Sequence, residues 1–267
     1  MQIFDLFNIP EDLLESVGGK AKGLFMLHKA GLSVPPGFVL YNIENENDLD
    51  EAIGFYLNSK FDKVAVRSSA TGEDGNDYSN AGQYSTFLNV DGKEKLRESV
   101  QECMASLQNE RARKYADQFL HDQSSQMTVV VQQFINAAKA GVGFTIDPTN
   151  NNDSFLVEAV KGVGESLVSG TETAEQYRIS KNDRNNDAAY AESVANSALL
   201  SKDELKEICR ELENAQQYLA YEVDAEWAIT QTGEVVWLQA RPITTNNAPT
   251  INEFDCKRDL TNHVITS

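Results

Sequence analysis

A carboxylate, a carboxamide and a guanidinium occupy matching positions in the stretch DAEWAITQTGEVVWLQAR, residues 224–241. Polar and apolar residues alternate on both sides of Thr232-Gly233, which predicts a β-hairpin closed by a two-residue turn. In that register Glu226 lies opposite Gln239, and Arg241 follows on the same face. Hard oxygen ligands at this separation suit Mg²⁺, and the guanidinium could bind a phosphate through two hydrogen bonds.

The same register sets the other cross-strand pairs of the hairpin. The predicted pairs are Asp224–Arg241 on the polar face, and Trp227–Leu238 and Ile229–Val236 on the apolar face. An ordinary exposed hairpin with a cross-strand salt bridge fits the same pattern. The residues alone therefore leave both interpretations of the polar face open.

Lys20 follows Gly18-Gly19 at the predicted start of a helix. Backbone amides and the helix dipole favour an anion there, and a lysine adds a mobile positive charge. A solvated first turn of the helix is the alternative. The chain contains neither G-x-x-x-x-G-K-[ST] nor G-x-G-x-x-G, so a P-loop or a Rossmann nucleotide site is not supported.

A long run of small and polar residues separates two strand-like ends in VAVRSSATGEDGNDYSNAGQYSTFLNV, residues 64–90. Its hydroxyls and unhindered amides suit a loop that covers phosphates, with Arg67 at its entrance. A flexible surface hairpin explains the composition equally well. The carboxylates of Glu73, Asp74 and Asp77 are not explained by contact with phosphate.

Gln132 and Gln133 interrupt an otherwise apolar strand at residues 128–135. Polar residues are unusual within a fully buried strand. They mark either the point where the strand enters a cleft, in which backbone groups could contact an adenine, or a position at the edge of a sheet.

The hydrophobic pattern predicts helices and strands in mixed order. Helices are predicted at 18–31, 44–62, 93–120 and 203–218, and strands at 38–41, 63–67, 84–90, 128–135, 140–147, 154–160 and in the hairpin 223–241. Residues 181–202 are polar and fit a surface loop or short helical pieces. This order favours an α+β, or mixed α/β, fold over regular βαβ alternation.

Composition limits the classes of function. The chain has 267 residues and a formal net charge of −18, which disfavours generic binding to nucleic acid or to an anionic membrane surface. No window approaches the ~20 apolar residues of a membrane span. Three widely spaced cysteines and an amino terminus without signal-peptide features favour a soluble, cytoplasmic protein with reduced thiols.

Several stretches together resemble one family. The run 66–90, preceded by GGKAKGLFMLHKAGLSVPPGF, is similar to the nucleotide-binding domain of phosphoenolpyruvate synthase and pyruvate phosphate dikinase, which rifampin phosphotransferases share. GVGFTIDP, EAVKGVGESLVSG, DAEWAI and LQARPIT follow in the family order, and the resemblance extends over residues 10–245. It implies an ATP-grasp fold, in which two α+β lobes hold ATP between them.

The resemblance also implies roles for individual residues. It makes Lys20, Arg67 and Arg241 the catalytic phosphate contacts, Glu226 and Gln239 the Mg²⁺ ligands, Ser69, Ala70 and Thr71 part of a mobile flap over the triphosphate, and Gln133 part of the adenine pocket. We expect an amino-terminal lobe at 1–125 with the flap at 67–83, a carboxy-terminal lobe at 126–245, and a tail or linker at 246–267.

In this family ATP donates phosphate to a histidine on a swivelling domain. No segment here resembles that domain, so we expect the phosphate acceptor to belong to a separate domain or partner protein. A stand-alone ATP-grasp kinase or ligase that acts directly on a small molecule is the alternative. A non-catalytic nucleotide sensor is a third hypothesis, and the presence of all five charged or amide residues at the expected phosphate and metal positions argues against it.

Overall fold

The computed structural model describes residues 1–70, 86–117, 128–149, 152–163, 174–195 and 199–243. These residues form ten strands and five helices. The strands are β1 (Gln2–Asp5), β2 (Gly37–Tyr41), β3 (Val64–Ser69), β4 (Thr86–Val90), β5 (Thr128–Gln133), β6 (Ala137–Phe144), β7 (Ser154–Lys161), β8 (Glu175–Ser180), β9 (Val223–Thr230) and β10 (Val235–Pro242). The helices are α1 (Gly19–Lys29), α2 (Glu46–Ser59), α3 (Lys93–Asp117), α4 (Asp187–Val194) and α5 (Lys202–Leu219).

The first sheet has the strand order β1-β2-β5-β3-β4, and every neighbouring pair is antiparallel. Side chains alternate between the two faces of each strand. In β3 this places Val64 and Val66 in a core with residues of α2 and α3. Ala65 and Arg67 therefore lie on the opposite face, which is turned towards the second sheet.

The second sheet has the order β10-β9-β6-β7-β8 and is also antiparallel throughout. Helix α5 covers one of its faces. The helix begins with a capping box, in which Ser201 and Glu204 each accept a hydrogen bond from the other's backbone N–H. Its apolar stripe, which includes Leu205, Ile208 and Leu212, is buried against the sheet.

Helix α1 belongs to the core of both sheets. Leu24 and Leu27 lie in one buried cluster with Val39 and Val130 of the first sheet and with residues of the second. The helix packs closely on β10: a Cβ atom at Gly23 would lie 2.4 Å from the carbonyl oxygen of Ala240. The absence of a side chain at this position therefore permits the close contact between helix and strand.

The hairpin of β9 and β10 has two registers. Glu226 pairs with Gln239, and Asp224 pairs with Arg241, as predicted. The predicted apolar pairs are wrong, because Trp227 lies opposite Trp237 and Ile229 opposite Val235.

The observed hairpin differs from the predicted one at two places, each time by one residue, and the two differences cancel. The loop has three residues, 231–233, since Thr230 and Glu234 are joined by a backbone hydrogen bond of 2.9 Å, and Gly233 has a φ of +87°. A three-residue hairpin loop that ends in a glycine with left-handed backbone has one residue more than a two-residue turn, so it shifts the pairing of the strands by one residue. A bulge between Trp237 and Gln239 then inserts one residue, Leu238, and restores the predicted register.

Most predicted elements are confirmed, with ends displaced by a few residues. The pattern did not identify β1 or β8. Residues 181–202 contain a 3₁₀ turn, Lys181–Asp183, and helix α4, so the alternative of short helical pieces is confirmed. The predicted α+β fold is confirmed as well.

The predicted division between the lobes, at residues 125 and 126, does not coincide with the point where the chain passes from the first sheet to the second. β5 follows that boundary, yet it lies between β2 and β3 within the first sheet. The chain passes from one sheet to the other after Gln133 and before Ala137. The change of sheet thus comes one strand after the predicted division, because the last strand of the first sheet follows α3. The lobe boundary itself stays a prediction.

Candidate functional site

A cleft of about 310 Å³ separates the two sheets. The first sheet contributes residues of β3, β4 and the end of β5, and the second contributes residues of β6, β9 and β10. Much of the lining is small, including Ala65, Ala140, Gly141 and Ala228. Small side chains leave the space between the two sheets unfilled, and such a partly apolar cleft is typical of a ligand site.

Arg67 crosses this cleft from β3 to the β9–β10 hairpin. It is only 6% exposed. Its Nη1 donates to the carbonyl oxygen of Leu238 at 2.8 Å and lies 3.4 Å from Oε1 of Gln239. Its Nη2 lies 3.7 Å from Oε2 of Glu226. The structure therefore brings together the predicted strand-end arginine and both predicted metal ligands.

The bulge at Leu238 explains how β10 can supply two groups to the same arginine. An extra residue in a bulge is left out of the ladder of paired residues, and the strand bends locally. Leu238 and Gln239, although adjacent, both line the cleft. The carbonyl of Leu238 accepts from Arg67, while the side chain of Gln239 remains opposite Glu226.

Gln132 and Gln133 lie where β5 enters the cleft, and both line it. β5 is flanked by β2 and β3, so the alternative of an edge strand is wrong. Gln132 is buried, and its Nε2 donates to the carbonyl oxygen of Pro35 at 3.1 Å. Gln133 is partly exposed to the cleft, in keeping with the predicted position beside a bound base.

Lys20 has a different environment from Arg67. It is buried in α1 at 6% exposure and is not one of the described residues that line the cleft. It lies close enough to Cys103 of α3 to influence that thiol. Burial raises the pKa of Cys103 to about 12, and the positive charge of Lys20 acts in the opposite direction.

The amides at the start of α1 already have acceptors within the protein. The N–H of Gly19 donates to the carbonyl oxygen of Ala70 at 3.2 Å, and that of Ala21 donates to Oγ of Ser69 at 3.2 Å. The Ser69 hydroxyl in turn donates to the carbonyl oxygen of Val17 at 2.8 Å. These two amides are therefore not available to an anion, contrary to the expectation for this helix terminus.

Ser69 and Ala70 therefore lie in surroundings that differ from those expected of residues in a mobile flap. Ser69 is the last residue of β3 and is fully buried, and Ala70 is 5% exposed against Leu107. The predicted flap at 67–83 therefore begins too early, because Arg67 to Ser69 are part of a central strand. Thr71, Glu73, Asp74 and Asp77 lie outside the described residues.

Arg241 lies on the same face of β10 as Gln239, two residues further along the strand. Its side chain is 48% exposed, and its Nε donates to Oδ2 of Asp224 at 2.8 Å. It does not belong to the described lining of the cleft. The predicted salt bridge between the strands is thus present, at the edge of the candidate site.

Sequence reasoning missed parts of the site that depend on the backbone. The carbonyl of Leu238 contacts Arg67 only because of the bulge, and no residue type signals that contact. Phe134, Ile135 and Val163 line the cleft from connections between strands. The signal that was available is the alternation in β3, which places Ala65 and Arg67 on one face.

Comparisons with known proteins identify the family of the chain. A family model described as pyruvate phosphate dikinase, AMP/ATP-binding domain, matches residues 43–195 and 180–257. A probable phosphoenolpyruvate synthase from Methanocaldococcus jannaschii is 37% identical over 206 residues, which cover 68% of this chain and 17% of the relative. A second one, from Methanothermobacter thermautotrophicus, is 36% identical over 79% of this chain and 33% of the relative. The chain thus spans a third or less of the length of these relatives.

A solved structure gives independent information on the fold. PH1788 from Pyrococcus horikoshii has a TM-score of 0.50 and 15% sequence identity, covering 87% of this chain and 97% of that one. At this identity the likeness concerns the fold alone. No helix within the described ranges is both long and apolar enough to cross a membrane.

Proposed function

Because the chain belongs to the family of pyruvate phosphate dikinase AMP/ATP-binding domains, we propose that it binds ATP with Mg²⁺ between its two sheets and donates phosphate to a histidine on a separate domain or partner protein. We also place the domain in the cytoplasm, where ATP is available and where the thiols of its buried cysteines, Cys103 and Cys209, stay reduced.

The observation that carries this proposal is the meeting of Arg67 with Glu226 and Gln239 across the cleft. A guanidinium from one sheet lies within 4 Å of a carboxylate and an amide oxygen from the other. A guanidinium is a strong hydrogen-bond partner of phosphate, and a hard cation that accompanies phosphate prefers oxygen ligands such as these. We therefore infer that the triphosphate of a nucleotide bound between the sheets ends beside these groups.

The donors at this site fit Mg²⁺. Glu226 and Gln239 are a directly opposed pair on β9 and β10, and both offer hard oxygen. Among the described residues no group of three or more His, Cys, Asp and Glu is arranged to hold a metal ion. A magnesium ion here would take its other ligands from phosphate and water, as Mg²⁺ usually does. When bound, it would neutralise charge on the phosphates.

The apolar part of the cleft suits the base of the nucleotide. Ala65, Ala140 and Leu238 offer apolar surface to a planar ring, and Gln133 lies at the entry of β5 into the same space. Such a site fixes orientation with few polar groups and gains affinity from buried apolar area. We assign Gln133 and its neighbouring backbone to the adenine end of the site.

The chain's own contribution to the reaction is positioning and charge. Arg67 is buried, so its interaction with a phosphate is weakly screened by solvent. Lys20 and Arg241 are further candidate phosphate contacts, and Thr71 is a candidate within the flap. Phosphoryl transfer depends mainly on such positioning and on stabilisation of charge.

Titration calorimetry tests the binding step. Wild-type protein is expected to bind ATP in the presence of Mg²⁺, and EDTA is expected to weaken that binding at least about tenfold, because the cation bridges protein and phosphate. Glu226→Gln removes the carboxylate and keeps the shape of the side chain. Its affinity for ATP is expected to depend much less on Mg²⁺. Equal dependence in both proteins would remove Glu226 from the metal site.

Product analysis tests the transfer step. The protein is incubated with ATP, Mg²⁺ and a purified histidine-carrying swivelling domain from a phosphoenolpyruvate synthase. The proposal predicts AMP, a phosphorylated histidine and one equivalent of inorganic phosphate, the remaining phosphoryl group being released to water, and it predicts little turnover without that domain. ADP formed with a small-molecule acceptor alone would instead favour a stand-alone kinase or ligase.

A further inference from the structure

The guanidinium of Arg67 lies between the two groups that we propose as metal ligands. Its Nη2 is 3.7 Å from Oε2 of Glu226, and its Nη1 is 3.4 Å from Oε1 of Gln239. A positive charge is thus already placed beside the oxygens that a divalent cation would use. The two positive groups could not keep these positions together, because like charges a few ångströms apart repel strongly in a site with little solvent.

We propose that Arg67 acts as an internal substitute for the divalent cation while the nucleotide is absent, so that the cation enters only together with phosphate. This inference rests on the proposed function, since it takes Glu226 and Gln239 as the ligands. It adds an order of binding: the free protein excludes the bare cation, and nucleotide and cation bind as a unit.

The structure explains why the arginine can change partners. The backbone of Arg67 is held between Val130 of β5 and Thr86 of β4, so the exchange concerns the side chain. Among its contacts with the described residues, only that of Nη1 with the carbonyl of Leu238, at 2.8 Å, is short. Nη2 is beyond hydrogen-bond distance of Glu226, and the buried Nε has no hydrogen-bond partner among the described residues.

A guanidinium with incomplete hydrogen bonding gains from a better acceptor. Buried donors that lack partners are costly, and phosphate offers several strong acceptor oxygens in a geometry that matches the guanidinium. When phosphate arrives, Arg67 can pair with it, and Glu226 and Gln239 become available to the accompanying cation. Without phosphate no new negative charge enters the cleft, and the carboxylate keeps the arginine as its partner.

Binding of Mn²⁺, followed by electron paramagnetic resonance of the free ion, tests this order. Wild-type protein is titrated with Mn²⁺ alone and with Mn²⁺ together with a non-hydrolysable ATP analogue. Arg67→Met removes the charge and retains the length of the side chain. Arg67→Lys is the matched control, because it keeps a positive charge at the same position. The double variant Arg67→Met with Glu226→Gln shows whether any new binding uses the carboxylate.

Without nucleotide, we expect Arg67→Met to bind Mn²⁺ at least about tenfold more tightly than wild type, since removal of one nearby positive charge is worth at least that factor. Arg67→Lys should resemble wild type, and the double variant should lose the new binding. Arg67→Gln provides a second neutral variant should the methionine protein fail to fold, as judged by circular dichroism.

Two outcomes would overturn the inference. In the first, wild type and the neutral variants all bind Mn²⁺ equally tightly without nucleotide. In the second, wild type does not bind Mn²⁺ without nucleotide, and no folded neutral variant does so either. The arm with the ATP analogue separates this from the proposed function. If wild type binds Mn²⁺ with the analogue but the neutral variants gain nothing alone, only the substitution by Arg67 is wrong. If wild type binds no Mn²⁺ even with the analogue, the metal site itself is wrong.

Discussion

Arg67 and Arg241 share a predicted role as phosphate contacts, but the structure gives them very different surroundings. Arg67 lies in the middle of the first sheet, is 6% exposed and reaches across to Glu226 and Gln239. Arg241 lies on the edge strand of the second sheet, and its side chain is 48% exposed and paired with Asp224.

This difference shows that residue type and motif alone do not determine how strongly a charged side chain interacts with a ligand. A buried guanidinium acts through a medium of low effective dielectric constant, whereas an exposed one is screened by water and salt. We therefore expect nucleotide binding to depend far more on Arg67 than on Arg241.

The largest effect is expected from Arg67→Ala. Removal of a buried charge that we propose as a phosphate contact should weaken the binding of Mg²⁺ and ATP by about 100-fold, since truncation of one partner of a buried charge pair costs roughly 2–5 kcal/mol. Titration calorimetry measures this affinity directly. A loss of less than about threefold would contradict the assignment of Arg67 as the main phosphate contact.

Arg97→Ala is the matched control for that experiment. Arg97 is also an arginine of the first half of the chain with two acidic partners, Glu46 and Asp50, but these contacts join α2 and α3 on the outer side of the sheet. Its loss is expected to leave the affinity for ATP within about twofold of wild type. A loss as large as that of Arg67→Ala would mean that the effect is a general one of charge.

Ser69→Ala is expected to have an intermediate effect and a different target. Ser69 is on the same face of β3 as Arg67, yet its hydroxyl joins Val17 and the amide of Ala21. Its removal should lower the free energy of unfolding by about 1–2 kcal/mol, because two buried hydrogen bonds of this hydroxyl, one of them to an amide in the first turn of α1, are lost. Urea denaturation measures this free energy. If the substitution mainly weakened ATP binding instead, the assignment of Ser69 to the phosphate-covering flap would be supported.

Arg241→Ala should have the smallest effect. We expect the affinity for ATP to fall by less than about tenfold, because exposed ion pairs contribute roughly 0–1 kcal/mol and any phosphate contact here is screened. The loss should shrink further between low and high salt. A larger loss than that of Arg67→Ala, at either ionic strength, would reverse the comparison of the two arginines.

The fold was predictable where the sequence has strong periodicity. The ATP-grasp fold with two α+β lobes, expected from the resemblance, is confirmed by the two antiparallel sheets and the family match. Helices α1 and α5 follow from their apolar stripes and end signals. β1 and β8 were missed, since a short edge strand such as β1 has little pattern to recognise. The predicted division at 125 and 126 separates β5 from the other strands of its sheet, because the position of a strand within a sheet depends on partners distant in the chain.

The candidate site shows both the strength and the limit of register arguments. The pairing of Glu226 with Gln239 was correct although the turn was wrong, because the bulge at Leu238 compensates for the three-residue loop. Gly233 fits either turn, so the sequence does not choose between them. Nor could it show that Ser69 is committed to α1, since that contact joins residues 48 positions apart.

The most direct test is to locate Mn²⁺ by anomalous X-ray scattering in crystals grown with a non-hydrolysable ATP analogue. The account predicts a single strong peak within coordination distance of Glu226 and Gln239, with the guanidinium of Arg67 on phosphate oxygens. A peak bound to other residues, or a nucleotide outside the cleft between the sheets, would contradict it.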